Sequence, residues 1–170
     1  MKFKNLIESR SASKDEYLEA VRGFYSKTKL LPGFEVEQLI QMMEMSEQAA
    51  GVPPAHVEIG DSGNVFVRWA ENDDSVWLLG IVSPKGHLGR ADISDLEEWV
   101  DRLSDKMMEG KPLHTSPNEV SGLLLKRLER KLNLMGFDME VEDPGMKMEI
   151  GDSPYLKWKT ATYHAVRRES

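Results

Sequence analysis

Apolar positions recur at helical spacing twice before residue 51. After Ser13-Lys14-Asp15-Glu16, Tyr17, Val21 and Phe24 fall on one stripe, with Leu18 and Tyr25 beside it. Ser13 can cap that helix while Glu16 reaches back to it, a capping box. The pattern predicts an end near Lys29, because Leu31-Pro32-Gly33 breaks the chain. A second helix is predicted from Glu35 to Ala50, with Val36, Leu39, Ile40 and Met43 inward. Gly51 closes it, and Pro53-Pro54 prevents continuation.

Alternation then replaces the helical period. Val57 and Ile59 alternate with polar residues, and Asp61-Ser62-Gly63-Asn64 is a turn. Val65 to Ala70 reads as a strand, Glu71 to Asp74 as a turn, and Ser75 to Val82 as a third strand. Its stretch from Val76 is apolar on both faces, which predicts a central strand covered on both sides. Ser94-Asp95-Leu96-Glu97 reads as a capping box for a helix to about Glu109, with Leu96, Val100, Leu103 and Met107 inside and Gly110 stopping it. Ser116-Pro117-Asn118-Glu119 is the clearest helix start, opening a run to about Met135. Phe137, Met139 and Val141 then alternate with acids. Met146, Met148 and Ile150 alternate with Lys147 and Glu149, and a last strand runs from Tyr155 to about Val166.

The expected fold is α+β, with helices packed on antiparallel three-stranded meanders in the order ααβββ-ααβββ. Either one mixed sheet or two similar halves satisfies this order. The segments starting at Val57 and Met139 look alike, but turn chemistry forces Asp and Gly into any hairpin. Residues 1–170 read as a single domain. A division into 1–110 and 111–170 would place its hinge between Gly110 and Thr115.

Composition narrows the function classes. The chain has 170 residues, 40% hydrophobic and 30% charged, which is the profile of a folded domain. Its net charge of -7 lowers the expectation of general nucleic-acid binding, where phosphate attraction supplies most of the affinity. There are no cysteines, so thiolate metal sites, disulfides and cysteine nucleophiles are excluded, and a reducing, cytoplasmic setting is expected. The first ten residues carry charges without a following apolar run, so no secretory leader is predicted. No stretch reaches the ~18 apolar residues of a membrane span.

Candidate chemistry is sparse. None of His56, His87, His114 and His164 is spaced as a local metal pair, and no metal or cofactor is called for. No nucleophile elbow, Walker loop or dinucleotide glycine motif is present, so no catalytic residue is assigned. The most suggestive segment is the loop with Lys85, Gly86, His87, Gly89 and Arg90, between the central strand and a helix. Two glycines permit close backbone approach, and three side chains can donate to an anion near a helix N-terminus. Asp92 and Asp95 at the same N-terminus oppose this, and a plain connection is the alternative.

Residues 91 to 115 hold seven acids against Arg102, Lys106 and Lys111. Asp95, Glu98, Asp101 and Asp105 can form an acidic docking face, or simply a solvated one. Pairing Trp69 with Val76 would place Arg68 beside Trp77 and Phe66 beside Leu79, an interface cluster or a core. Arg127, Arg130, Lys131, Lys157 and Lys159 are the candidates for nucleic-acid contact. The leading expectation is a non-enzymatic interaction protein: a small regulator, inhibitor or assembly factor on a partner protein, with self-association open. The alternatives are a small-molecule or nucleotide-binding protein, including an enzyme, using the Lys85–Arg90 loop, and a nucleic-acid binder.

Overall fold

The computed structural model of the chain describes residues 10–27, 35–115, 119–142, 147–149, 157–159 and 161–169. The elements run β1 (Arg10–Ala12), α1 (Lys14–Lys27), α2 (Val36–Ala50), β2 (His56–Ile59), β3 (Phe66–Glu71), β4 (Val76–Val82), α3 (Arg90–Met108), β5 (Leu113–Thr115), α4 (Glu119–Leu134), β6 (Phe137–Glu142), β7 (Lys147–Glu149), β8 (Lys157–Lys159) and β9 (Ala161–Arg167). Seven strands form one mixed sheet in the order β1-β2-β3-β4-β5-β9-β6, and β7 pairs with β8 apart from it. The fold is α+β, with four helices among the described residues.

Local chemistry explains the helix ends. Ser13 and Glu16 exchange both bonds of the capping box, at 3.1 and 3.2 Å. Gly51 closes α2 in the left-handed region at φ 69°, which costs a glycine nothing. Ser116 and Pro117, read above as a helix start, lie outside the described residues, as does Leu31-Pro32-Gly33.

Two helical layers sandwich the sheet. Tyr17, Ala20 and Val21 of α1 and Ile40 of α2 pack on Val57 and Val82. On the opposite face Leu96, Trp99, Val100 and Leu103 of α3 and Leu124, Leu128 and Leu132 of α4 pack on Val67, Val76, Leu78 and Ile81. Strand β4 is central and covered on both sides, as its doubly apolar sequence predicts.

Three expectations need correction. The repeated ααβββ order fails to describe the chain, because β1 and β5 are strands it does not contain. Of these, β5 pairs in parallel with β4 and antiparallel with β9. The hairpin register also differs: Asn72 Oδ1 accepts the amides of Asp74 and Ser75, at 2.8 and 2.9 Å, in a tight turn. Glu71 therefore opposes Val76, and Trp69 opposes Leu78 rather than Val76. Third, α3 begins at Arg90, four residues before Ser94. The Asp92 carboxylate reaches back to the Gly89 amide at 2.7 Å and caps the helix there.

Candidate functional site

Strand β4 carries a bulge. Arg68 opposes Gly80 and Trp69 opposes Leu78, so Leu79 is an extra residue. One inserted residue reverses the facing of everything after it. Val76 and Leu78 face α3 and α4, whereas Gly80 and Val82 face α1. Gly80 meets Tyr17 there: a side-chain carbon added at Gly80 would lie 2.1 Å from the Tyr17 hydroxyl oxygen.

The bulge falls where the described pairing of β4 with β5 ends. The β4–β5 pair is the one parallel pair among the described strands, and its register ends at Leu78 with Thr115. Thr115 Oγ1 closes the ladder by donating to the Leu78 carbonyl at 2.9 Å. Leu79 to Val82 run on with no described strand on that side. This is the carboxyl end of a parallel pair, with α3 following β4 and α4 following β5 along the chain. Open sheets hold ligands at the carboxyl ends of their strands. The two helices run in the same direction, since Glu97 meets Arg127 and Asp101 meets Lys131. Their N-terminal ends thus point to one mouth, and each favours negative charge.

The loop from Ser83 to Gly89 lines this mouth. Gly86 turns it at φ 81°, with its amide on the Ser83 carbonyl at 2.9 Å. Asp92 is fully buried and accepts from Gly89, from Asn64 Nδ2 at 3.2 Å and from Lys85 Nζ at 3.2 Å. Burial alone would raise its pKa, but the donors, led by the Gly89 amide and Lys85, outweigh that and hold it lowered. Asp95, one turn on, is raised by burial even though Ser62 bonds it through both hydroxyl and amide. Gly60 makes room for it, since an added carbon would lie 2.3 Å from its carboxylate. The acids expected to repel an anion thus fasten the loop to the β2–β3 turn. His87 and Arg90 stay exposed, with no ion pair among the described residues.

A polar row lies nearby on the sheet face opposite α3 and α4. His114 bridges Ser75 Oγ at 3.0 Å and Thr162 Oγ1 at 2.9 Å, with the Trp77 ring 5.0 Å away. Burial, then repulsion from His164, lowers its pKa, so the neutral ring is favoured. His164 meets Glu142 at 2.9 Å. Among the described residues no three His, Asp or Glu are placed to hold a metal ion.

The remaining predicted residues are held inside the fold. Arg68 pairs with Glu47 of α2, and Phe66 packs under α1. Phe66, Arg68 and Trp77 share a sheet face, but Gly80, not Trp77, sits opposite Arg68. Of the acids, Asp95 is buried, Glu98 lies 3.9 Å from Arg102, Asp101 pairs with Lys131 at 3.2 Å, and Asp105 is exposed. Arg127 pairs with Glu97, and Arg130 is exposed. Lys157 and Lys159 lie on β8; their side chains lie outside the described residues. Tyr17 and Gly80 had not been singled out. The available signal was a glycine inside a strand, which marks a bulge or a close approach.

No protein-family model matches the chain, and no curated protein matches it in sequence. Solved structures do. One, described as an acetyltransferase of the GNAT family from Bacteroides thetaiotaomicron, is 11% identical, with 96% of this chain and 89% of that one covered at a TM-score of 0.49. Another, the ribosomal-protein-S18-alanine N-acetyltransferase of Escherichia coli, is 12% identical, with 95% of each chain covered at a TM-score of 0.45. Identities this low assign no chemistry to any residue. The leading expectation of a non-enzymatic regulator, inhibitor or assembly factor is corrected on the fold itself: most of the residues offered as its interface are buried or ion-paired within it. No helix among the described residues is long and apolar enough to cross a membrane.

Proposed function

We propose that the chain is a small-molecule-binding enzyme of group-transfer type. Its donor carries phosphate, which rests on the Gly86–Gly89 loop at the start of α3, while the reacting end lies between β4 and β5. The observation that carries this reading is that, among the described residues, β4 runs four residues past its last pairing with β5 and leads directly into that loop. His87 and Arg90 are the side chains for the phosphate. The amides of Arg90 and Ala91 add to them, since the first amides of a helix have no acceptor within it. Lys85 acts at one remove, by neutralising Asp92. Acetyl transfer, the reaction named for both structural neighbours, is the first to assay.

The test is a thermal-shift screen of nucleotides and of coenzyme A with its acetyl thioester, a phosphate-bearing group carrier. A ligand at 100 times its Kd should add about 2.7 kcal/mol of stability. At least one such ligand is expected to raise the melting temperature, and His87→Ala/Arg90→Ala should abolish most of the rise. If no member of the panel stabilises the wild type, the proposal fails.

A further inference from the structure

A cavity of about 340 Å³ lies at the junction of β1, α1 and β2, and every residue lining it is among the described ones. Ala12 opposes Val57, and Val57 opposes Arg68, so its lining includes a row across three strands. Ala12, Ala55 and Val57 make part of it apolar, and Lys14 and Arg68 bring two cations. Ser11 and His56 complete the lining, which contains no acid. None of residues 83–90 lines it, so it is separate from the loop at the start of α3.

The acids lie in a different space. Lys14 and Arg68 also line a cavity of about 10 Å³, and there Glu44 and Glu47 of α2 join them. Lys14 lies 2.8 Å from Glu44, and both side chains are exposed, so that pair is loosely held. Glu47 takes one nitrogen of Arg68, whereas a guanidinium carries five N–H donors in a planar fork. The fork can therefore serve a second acceptor without giving up the first.

We infer that the larger cavity is a second ligand site, for a small organic carboxylate: Lys14 and Arg68 hold the carboxylate, and a short apolar body lies against Ala12, Ala55 and Val57. Three features support it. The volume falls within the range of small-molecule pockets. The planar fork of arginine matches the two oxygens of a carboxylate. Glu44 and Glu47 already offset part of the positive charge, which suits a single negative charge better than a doubly charged phosphate. The site does not depend on the phosphate site proposed above.

The experiment is an amide NMR titration of the isotope-labelled full chain with hexanoate, acetate and inorganic phosphate in turn. Hexanoate is expected to shift the amides of Ser11, Lys14, Ala55, His56 and Arg68. It should bind more tightly than acetate, each methylene on the apolar lining adding up to about fourfold. Lys14→Ala is expected to weaken hexanoate about 5-fold, the size of one partly exposed ion pair. Lys131→Ala, which removes the same charge on the other face of the sheet, should leave hexanoate binding unchanged. Ala55→Leu, which fills the cavity, should abolish it. Should Ala55→Leu fail to fold, the two lysine variants still decide. Absence of any shift with hexanoate overturns the site. So do shifts confined to residues 83–90, equal binding of acetate and hexanoate, tighter binding of inorganic phosphate, or equal weakening by Lys14→Ala and Lys131→Ala.

Discussion

Val76 to Leu78 and Leu79 to Val82 belong to one apolar strand but live in different surroundings. The first three residues have strands on both sides, and Val76 and Leu78 have α3 and α4 behind them. The last four have β3 on one side and no described strand on the other. The second stretch opens on the bulged Leu79. A strand paired on both sides is a stability element. One whose described pairing ends halfway, with a glycine at the break, has backbone groups there that need another partner. The difference teaches where the molecule uses apolar sequence for support and where it uses it to shape a site.

The largest expected effect lies in the paired stretch. Leu78 is 2% exposed, and Leu78→Ala should cost about 2–5 kcal/mol in urea denaturation. Ligand affinity of the folded fraction should stay unchanged. A large affinity loss with little stability loss would erase the contrast between the two stretches.

Gly80→Ala comes next. The added carbon meets the Tyr17 hydroxyl at 2.1 Å, and such overpacking should cost about 1–3 kcal/mol. In Tyr17→Phe/Gly80→Ala the nearest remaining tyrosine atom is at 3.3 Å, so most of the loss should return. Strictly additive effects in that double-mutant cycle would refute the contact.

A smaller effect is pH-dependent and belongs to the paired end. His114 prefers the neutral form in the fold, so its folded pKa lies below its unfolded value of about 6.5. Its contribution is therefore complete above that value and is lost as pH falls through the folded pKa. Stability measured from pH 7 to pH 5 should fall less steeply in His114→Gln than in the wild type. An unchanged slope would show that burial and the neighbouring His164 do not bias the ring. The smallest stability change is expected in the loop: His87→Ala/Arg90→Ala should stay within about 0.5 kcal/mol of the wild type, since both side chains are solvent-facing.

Much of the fold was legible. The start of α1 and both ends of α2 follow from short-range chemistry, and so does the central place of β4. The start of α3 was misread because Gly89 has no capping side chain. Its cap comes from Asp92, whose burial depends on Asn64 and Lys85. Strand β5 was missed because three residues show no alternation, and its pairing with β4 joins segments separated by all of α3. The loop was legible as a candidate through its glycines and cations. Tyr17 was visible only as one more apolar position on a helix stripe.

The sequence by itself determined the elements with strong local signals: the capped helices, the doubly apolar strand and the glycine-bearing loop after it. It also ruled out cysteine chemistry. Tertiary structure decided where β4 and β5 part, which way Gly80 faces, and that Tyr17 lies beside it. Caps and turns are closed by bonds between residues a few positions apart. The end of the β4–β5 pairing is set by register and by one bulge, and those depend on contacts between segments far apart in the chain.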